Sequence, residues 1–435
     1  MKTLTLNNFF ETQYKEYSNY DNERSIPNLI DGLKITQRKI LNTCVIKNIV
    51  KEYKVAQLAS LTACEMAYHH GEVSVGGVVC TLAQTFVGSN NINLLSPIGQ
   101  FGSRLNPVPA AHRYIFTHLS PNFRKYFKKD DDIILEYLYD DDTKIEPNYF
   151  IPILPGILLN SSEGIGTGFA SKILARNPKE ISDYIKAKLS GKKKKIALLP
   201  YFNGFKGSVE LVGENKYQIC GVIQSINSTT IKITELPVGM YLDDIKKQLN
   251  KLVESEFIKD YTDNSTEDGF DIDVYLPRAT ISSLSEFELM EKLKLVTTIT
   301  ENLTCWLDTG KLRKFNSASE IIDYFIEFRL NKYSERITKL LEVYDIDIFT
   351  MKEKIRFINF YLANTQKFKN ARKLELLELL DENSFDTSLL SMQMWSLTGD
   401  KISEITEQLQ NAIKERDELA ATTNIQIYTK ELEKL

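Results

Sequence analysis

"VAQLASLTACEMAYHHGEVSVGGVVCTLAQTFVG", residues 55–88, decides how the first half of this chain is built. Its opening, "VAQLASLTACEMAYHHG", spaces apolar residues as an amphipathic helix stopped by Gly71. "GGVVCTLAQTFVG" reads as a further helix after a short turn. Toward the N-terminus, "SIPNLIDGLKITQRKILNTCVI" offers a Pro-marked break, an Asp-Gly turn and a helix opening at Thr36, and residues 8–22 form a helix before it. Toward the C-terminus come a loop and a strand-like segment. Short helices joined by tight turns and followed by a strand fit a helix-turn-helix or winged-helix module.

Charge is segregated around this stretch. From Val73 to Lys129 there is no Asp or Glu, where the chain's average would put roughly seven or eight. The window holds Arg104, Arg113, Arg124, Lys125, Lys128, Lys129, His112 and His118; "DDDIILEYLYDDDTKIE" follows at once. A surface without carboxylates suits a polyanion, because a single carboxylate there repels phosphate. The plainer alternative is a loop-rich apolar segment that happens to lack acids.

After residue 150 the texture changes. "YFIPILPGILLN" is a buried apolar run, and "GSVELVG", "YQICGVIQSI", "TIKITELP" and "FDIDVYLP" alternate as strands. "YLDDIKKQLNKLVES" and "SEFELMEKLKL" read as helices between them, making an α+β region that ends near "GKLRKF" at 310–315. Beyond it, Ile337, Leu340, Leu341, Tyr344, Ile348, Met351, Ile355 and Ile358 form one stripe of a long helix. The pattern returns at Ile402, Ile405, Leu409, Ile413 and Leu419. Two long antiparallel helices capped by a small globule result. Leu389, Leu390, Met392, Met394 and Trp395 make that cap either a self-association surface or a plain bundle end.

The 435 residues suffice for about two or three domains. No apolar run reaches the ~20 residues of a membrane span, and the N-terminus lacks a signal-peptide core. Five well-separated cysteines without CxxC point to reduced thiols, a cytoplasmic setting and no zinc site. "SSEGIGTGF" (161–169) lacks the endings of phosphate-binding loops. Its glycines instead present Ile165 as an apolar wedge able to kink DNA. "DID" at 271–273 and 345–347, and "DDD" at 130–132 and 140–142, read as solvated acidic faces rather than metal ligands.

All four histidines fall between 69 and 118. His69, His70, Arg104, Arg113 and Tyr114 bring together a proton shuttle, cations and a phenol. A phenol with a pKa near ~10 becomes a useful nucleophile when a cation stabilises its phenolate. Arg113, adjacent to Tyr114 in "AAHRYIFTHL", can do that and also hold a phosphate.

"SIPNLIDGLKITQRKIL", "KVAQLA", "AYHHGEVS", "LAQTFVGSNNINLLSPIGQFGSR", "AAHRYIFT", "EPNYFIPILPGILLN", "EGIGTGFAS" and "ITELP" together resemble the DNA breakage-reunion part of type IIA DNA topoisomerases. The wording is close to the eukaryotic and viral enzymes. The length, the start at Met1 and the ending resemble the separate medium subunit of tailed-phage topoisomerases.

The resemblance implies an α+β multidomain chain. Residues 1–150 would be a winged-helix cleavage domain, 151–315 a tower domain, and 316–435 a coiled-coil arm ending in a dimerisation gate. It makes Tyr114 the nucleophile, Arg113 its stabilising neighbour, Arg38 a second cation and His70 the histidine near the scissile phosphate. Lys39, Lys54, His69, Ser74, Arg104 and Ile165 would contact DNA, Ile165 by intercalation. Two features depart from the family pattern: His112 before Arg113, and "LNPVPAA" where eukaryotic members place Gly-Gly-Lys-Asp. No ATPase motif and no toprim glutamate with DxD is present. ATP and Mg²⁺ are therefore expected on a larger partner subunit, with this chain a homodimer on double-stranded DNA, relaxing or decatenating it in the cytoplasm, of an infected host if phage-encoded. A tyrosine recombinase and a non-catalytic architectural protein are the competing readings.

Overall fold

A computed structural model describes residues 5–192, 196–393 and 397–435. They fall into two compact units, one of residues up to Arg329 together with Glu431–Leu435, the other Leu330–Lys430.

The first unit opens with α1 (Leu6–Phe9), a π turn (Phe10–Tyr14) and α2 (Lys15–Ser25). The Asp-Gly turn follows as expected. The Asp31 carboxylate, buried, accepts from the backbone of Leu33 and Phe150, and Gly32 at φ +70° lets Gly156 approach where a Cβ would clash. In α3 (Ile35–Ile46) the Gln37 side chain accepts from the Lys34 backbone N–H at 2.9 Å, closing the first turn, and Ile40, Leu41 and Cys44 face the core.

β1 (Tyr53–Lys54), α4 (Val55–Glu65) and α5 (Glu72–Ala83) come next. Here the structure corrects the sequence reading. α4 stops at Glu65, six residues before Gly71, because Ala67 takes φ 47°; His69 and His70 therefore lie in a loop. α5 begins at Glu72 and carries Gly76 and Gly77 inside it. Gly76 is there for space: a Cβ would sit 2.3 Å from His112 Nδ1. β2 (Leu95–Ile98) and β3 (Phe116–Leu119) join β1 in an antiparallel sheet of order β1-β3-β2.

α6 (Pro121–Tyr126) leads to the acidic run. Asp131 is not a solvated residue. It is buried, and both its oxygens accept from the Arg329 guanidinium at 3.0 and 2.7 Å; such burial is tolerable because the two charges neutralise each other. The second acidic triplet does form an exposed turn, between β4 (Tyr137–Asp140) and β5 (Thr143–Pro147).

Residues 151–159 are buried throughout. The hairpin β6 (Ser162–Ile165) and β7 (Ala170–Ile173) follows, then α7 (Pro178–Leu189). "YQICGVIQSI" is two strands, not one. β8 (Ser208–Gly213), β9 (Lys216–Cys220) and β14 (Val296–Thr300) make one sheet. β10 (Val222–Asn227), β11 (Thr230–Glu235), β12 (Asp260–Asp263) and β13 (Ile272–Tyr275) make another. The chain changes sheet at Gly221, where a Cβ would lie 2.3 Å from the Glu235 carbonyl oxygen. α8 (Leu242–Glu254), α9 (Arg278–Ser283) and α10 (Glu286–Lys292) complete this part. Ile245, Leu249 and Leu289 share a core with Ile231, Ile233, Ile272 and Val274 of the four-stranded sheet. β15 (Thr304–Trp306) and β16 (Leu312–Lys314) end the strands.

α11 (Ala318–Ala363) runs for 46 residues, followed by α12 (Thr365–Asn370), α13 (Lys373–Glu382), α14 (Gly399–Ala420) and α15 (Asn424–Glu433). Within the second unit the long helices run antiparallel. Asn424 bonds Ser334, Arg416 pairs with Asp345 at 3.1 Å, and Tyr344 donates to Glu415. Phe357, Leu380, Phe385 and Leu389 form a small core at the far end, with Met392 packed on it and Leu390 exposed. Met394 and Trp395 lie outside the described residues. No helix among the described residues is long and apolar enough to cross a membrane.

Candidate active site and nucleic-acid interface

The Tyr114 loop is bound to a helix end. Helices leave their first N–H groups without internal partners; in α4, Val55 N–H donates to the Ile115 carbonyl and Ala56 N–H to the His112 carbonyl. Ile115, buried, anchors the other side of the turn, which Tyr114 N–H closes onto the Ala111 carbonyl. Gln84 ties the preceding loop by donating to the carbonyls of Phe101 and Pro107. Tyr114 is thus held at its backbone on both sides while its ring stands 68% exposed. The guanidinium carbon of Arg113 lies 5.2 Å from the ring centroid. Arg113 is exposed and has no carboxylate partner among the described residues. A phenol able to reach a ligand, with an uncommitted cation over its ring, is a chemically competent pair.

His70 is exposed in the α4–α5 loop. Its Nε2 is 2.8 Å from the Tyr20 hydroxyl, and Tyr68 packs edge-on at 5.5 Å. Tyr68 in turn donates to Ser74 at 3.4 Å; Ser74 and His69 are exposed. Lys54 lies over Phe116, its ammonium 5.8 Å from the ring.

Three cations of the sequence reading are not free. Arg38 is buried and donates to both Asp31 oxygens and to the Leu33 carbonyl. Lys39, also buried, holds Glu146 at 2.7 Å and the Met66 carbonyl at 2.6 Å. Arg104 binds Glu235 at 2.8 Å and the carbonyls of Leu236 and Met240, over the Phe270 ring. In this state these three brace the scaffold. The acid-free window therefore does not make an acid-free surface, since Glu235 and Asp132 arrive from outside it to pair Arg104 and Arg124. Arg113, Lys125, Lys128 and Lys129 are the window's cations without a carboxylate partner among the described residues.

Ile165 stands 78% exposed at the end of β6. The flanking glycines serve the scaffold rather than a ligand. A Cβ at Gly164 would lie 1.9 Å from the Ser25 carbonyl oxygen, and one at Gly166 would lie 2.3 Å from the Asn22 side chain. Asn22 donates to the Thr167 carbonyl, Thr167 donates to Asp21, and Lys34 donates to the Glu163 carbonyl. Burial pulls the Lys34 ammonium below the ordinary lysine range, with Glu163 acting in the opposite sense. Behind the hairpin, Glu301 accepts from the Leu174 backbone and from the buried Arg176 at 2.7 Å. So α2 touches both the β6–β7 hairpin and His70. Nothing in the sequence flags Tyr20 or Asn22 as partners of the site, because their contacts span 50 and 145 positions.

Among the described residues no three His, Cys, Asp or Glu side chains converge as metal ligands. Both aspartates of the first "DID" face Lys232, at 2.6 and 3.6 Å.

Residues 24–433 match the family model for the A-type subunit of DNA gyrase/topoisomerase IV. DNA topoisomerase 2-alpha of Gallus gallus is 36% identical over 96% of this chain, which spans 29% of that protein. DNA topoisomerase 2 of Plasmodium falciparum is 35% identical over 100% of it, with 34% of that protein spanned. The solved DNA-binding, cleavage and re-ligation domain of Plasmodium falciparum topoisomerase II superposes with TM-score 0.93 at 35% identity, covering 99% of this chain and 64% of that one. The chain belongs to the type II DNA topoisomerases, within the DNA gyrase/topoisomerase IV family. It spans about a third of the length of these relatives.

Proposed function

We propose that the chain cleaves and reseals DNA as part of an ATP-dependent type II topoisomerase, with Tyr114 as nucleophile. The exposed phenol under an unpaired guanidinium, on a loop clamped to α4, carries this reading. The Tyr114 oxygen attacks a backbone phosphorus; the P–O3′ bond breaks, leaving a 3′ hydroxyl and a 5′-phosphotyrosyl link. The phenol proton is lost and the departing 3′ oxygen takes one up. Arg113 stabilises the phenolate and the developing phosphoryl charge, and His70 lies near the scissile phosphate. Lys54, His69, Ser74 and the window's lysines contact the backbone, and Ile165 inserts between bases. Arg38, Lys39 and Arg104 reach DNA only if their carboxylate partners let go, so they act first as braces.

In this reading residues 1–150 form a winged-helix cleavage domain, supported by α3 to α5 and the three-stranded sheet. Residues 151–315 form the tower and 316–435 the coiled-coil arm, whose end pairs two copies. Mg²⁺ and ATP sit on a larger partner subunit, in the cytoplasm, of an infected host if the chain is phage or virus encoded. The N-terminal helix supports a partner: Leu6, Phe9, Phe10, Tyr14, Tyr17 and Tyr20 are all exposed, a row that monomeric surfaces rarely present. The test is a plasmid cleavage assay with and without that subunit, mapping the DNA-linked peptide. Linkage of Tyr114 to 5′ ends supports the proposal; linkage to 3′ ends, as in a recombinase, or no adduct at all, overturns it.

A further inference from the structure

The imidazole of His70 has one engaged nitrogen. Its Nε2 lies 2.8 Å from the hydroxyl of Tyr20, which comes from α2, fifty positions earlier in the chain. The Tyr68 ring packs edge-on against the same imidazole at 5.5 Å, and Arg24 lies over the Tyr20 ring at 5.5 Å. Among the other charged groups on α2, α4, α5 and the loop between the last two, Asp21 accepts from Thr167, Glu72 accepts from Ser60 and Glu65 pairs with Lys47, while Lys15, Glu16 and Glu23 of α2 and His69 of the loop lie on the same elements.

A neutral imidazole carries one N–H and one lone pair, and the bond made by one nitrogen fixes the role of the other. A phenol is a good donor and a poor acceptor, so the stronger arrangement has Tyr20 O–H donating to Nε2. The proton of His70 is then on Nδ1, and Nδ1–H is the group left to face a phosphate. Tyr68 limits rotation of the ring.

We propose that Tyr20 is a positioning residue of the cleavage centre, holding His70 as the Nδ1–H tautomer in a fixed orientation. This rests on the reading of His70 as a group beside the scissile phosphate. Because the same helix carries the exposed aromatic row and bonds the Ile165 hairpin through Asp21 and Asn22, one element sets both the histidine and the wedge.

The chain has four histidines, so ¹⁵N-histidine labelling resolves them, with His70→Ala identifying the signal. Wild-type His70 is expected to show the Nδ1–H pattern, and Tyr20→Phe, which keeps the ring, to move it toward the Nε2–H form usual for free imidazole. In the presence of Mg²⁺ and the partner subunit, Tyr20→Phe is expected to slow plasmid cleavage roughly tenfold, part of the 10²–10⁴ that a positioned acid or base supplies. In the His70→Ala background the same change should cost nothing more, because Tyr20 acts through His70. An unchanged tautomer in Tyr20→Phe, or equal losses in both backgrounds, overturns the proposal. If His70→Ala cleaves like wild type while the tautomer still shifts, the bond is real and the placement of His70 at the phosphate is what fails.

Discussion

At the scale of single residues, the phenol of Tyr114 separates chemistry from packing. Its ring is mostly solvated, so Tyr114→Phe should leave stability within about 0.5 kcal/mol. Reconstituted with a partner, this variant should dimerise and bind DNA yet give no protein-linked 5′ ends; recovery of a DNA-linked peptide from it would refute the assignment. Arg113→Ala should slow cleavage about 10²–10³-fold, the scale of one lost preorganised charge contact, read by quench-flow on a labelled duplex. Ile165→Ala should leave the melting temperature unchanged and reduce DNA bending measured by energy transfer between end labels. Tyr114, Arg113 and Ile165 could be singled out in the sequence because each sits in a short local pattern, a dipeptide among histidines or an apolar tip among glycines, and all three are exposed in the structure. The ion pairs that hold Arg38, Lys39 and Arg104 were not legible: Glu146 and Glu235 come from more than a hundred residues away, and Asp31, seven residues before Arg38, read as part of an Asp-Gly turn.

Among the elements, the β6–β7 hairpin is where backbone space matters. Gly164→Ala places a methyl against the Ser25 carbonyl, and overpacking of this kind costs about 1–3 kcal/mol. Calorimetry should therefore distinguish Gly164→Ala, destabilised, from Ile165→Ala, unchanged; equal melting temperatures would contradict the packing described. Glu301→Ala strands the buried Arg176 charge and should cost about 3–5 kcal/mol. Helix positions were legible from apolar spacing to within a turn, as for α3 and α11. The ends of α4 and α5 were not, since Ala67 adopts a left-handed backbone that its residue type gives no reason to expect, and Gly76 is chosen by a histidine ring from another loop. The break of β9 from β10 was likewise set by the Glu235 carbonyl, not by alternation.

For the whole molecule, the exposed aromatic row of the N-terminal helix and the proposed two-subunit reading lead to one expectation. The purified chain should bind DNA with strong salt dependence and cleave little until a partner supplies Mg²⁺; efficient cleavage by the chain alone would end the two-subunit reading. The fold itself can be checked by thiol chemistry. Burial pushes Cys44 and Cys305 up to about 12 and Cys80 to about 11, whereas Cys64 is exposed. Because the thiolate is the reactive form, iodoacetamide at neutral pH should label Cys64 first, and mass spectrometry that finds Cys44 or Cys305 labelled in native protein would contradict the core. The α+β texture and the long helical segment were visible in the sequence because both depend on periodicity. The burial of Asp131 against Arg329 was hidden, because an acidic triplet reads the same whether it faces water or a guanidinium.

The crowding of Gly164 and Gly166 against α2 has a practical side. The hairpin backbone is fixed by its neighbours, while the side chain between them projects into open space. Position 165 is therefore an attachment point: a photocrosslinking amino acid or a fluorescent side chain placed there would ride on a rigid mount, and its signal would report whatever approaches the hairpin rather than the looseness of its own loop.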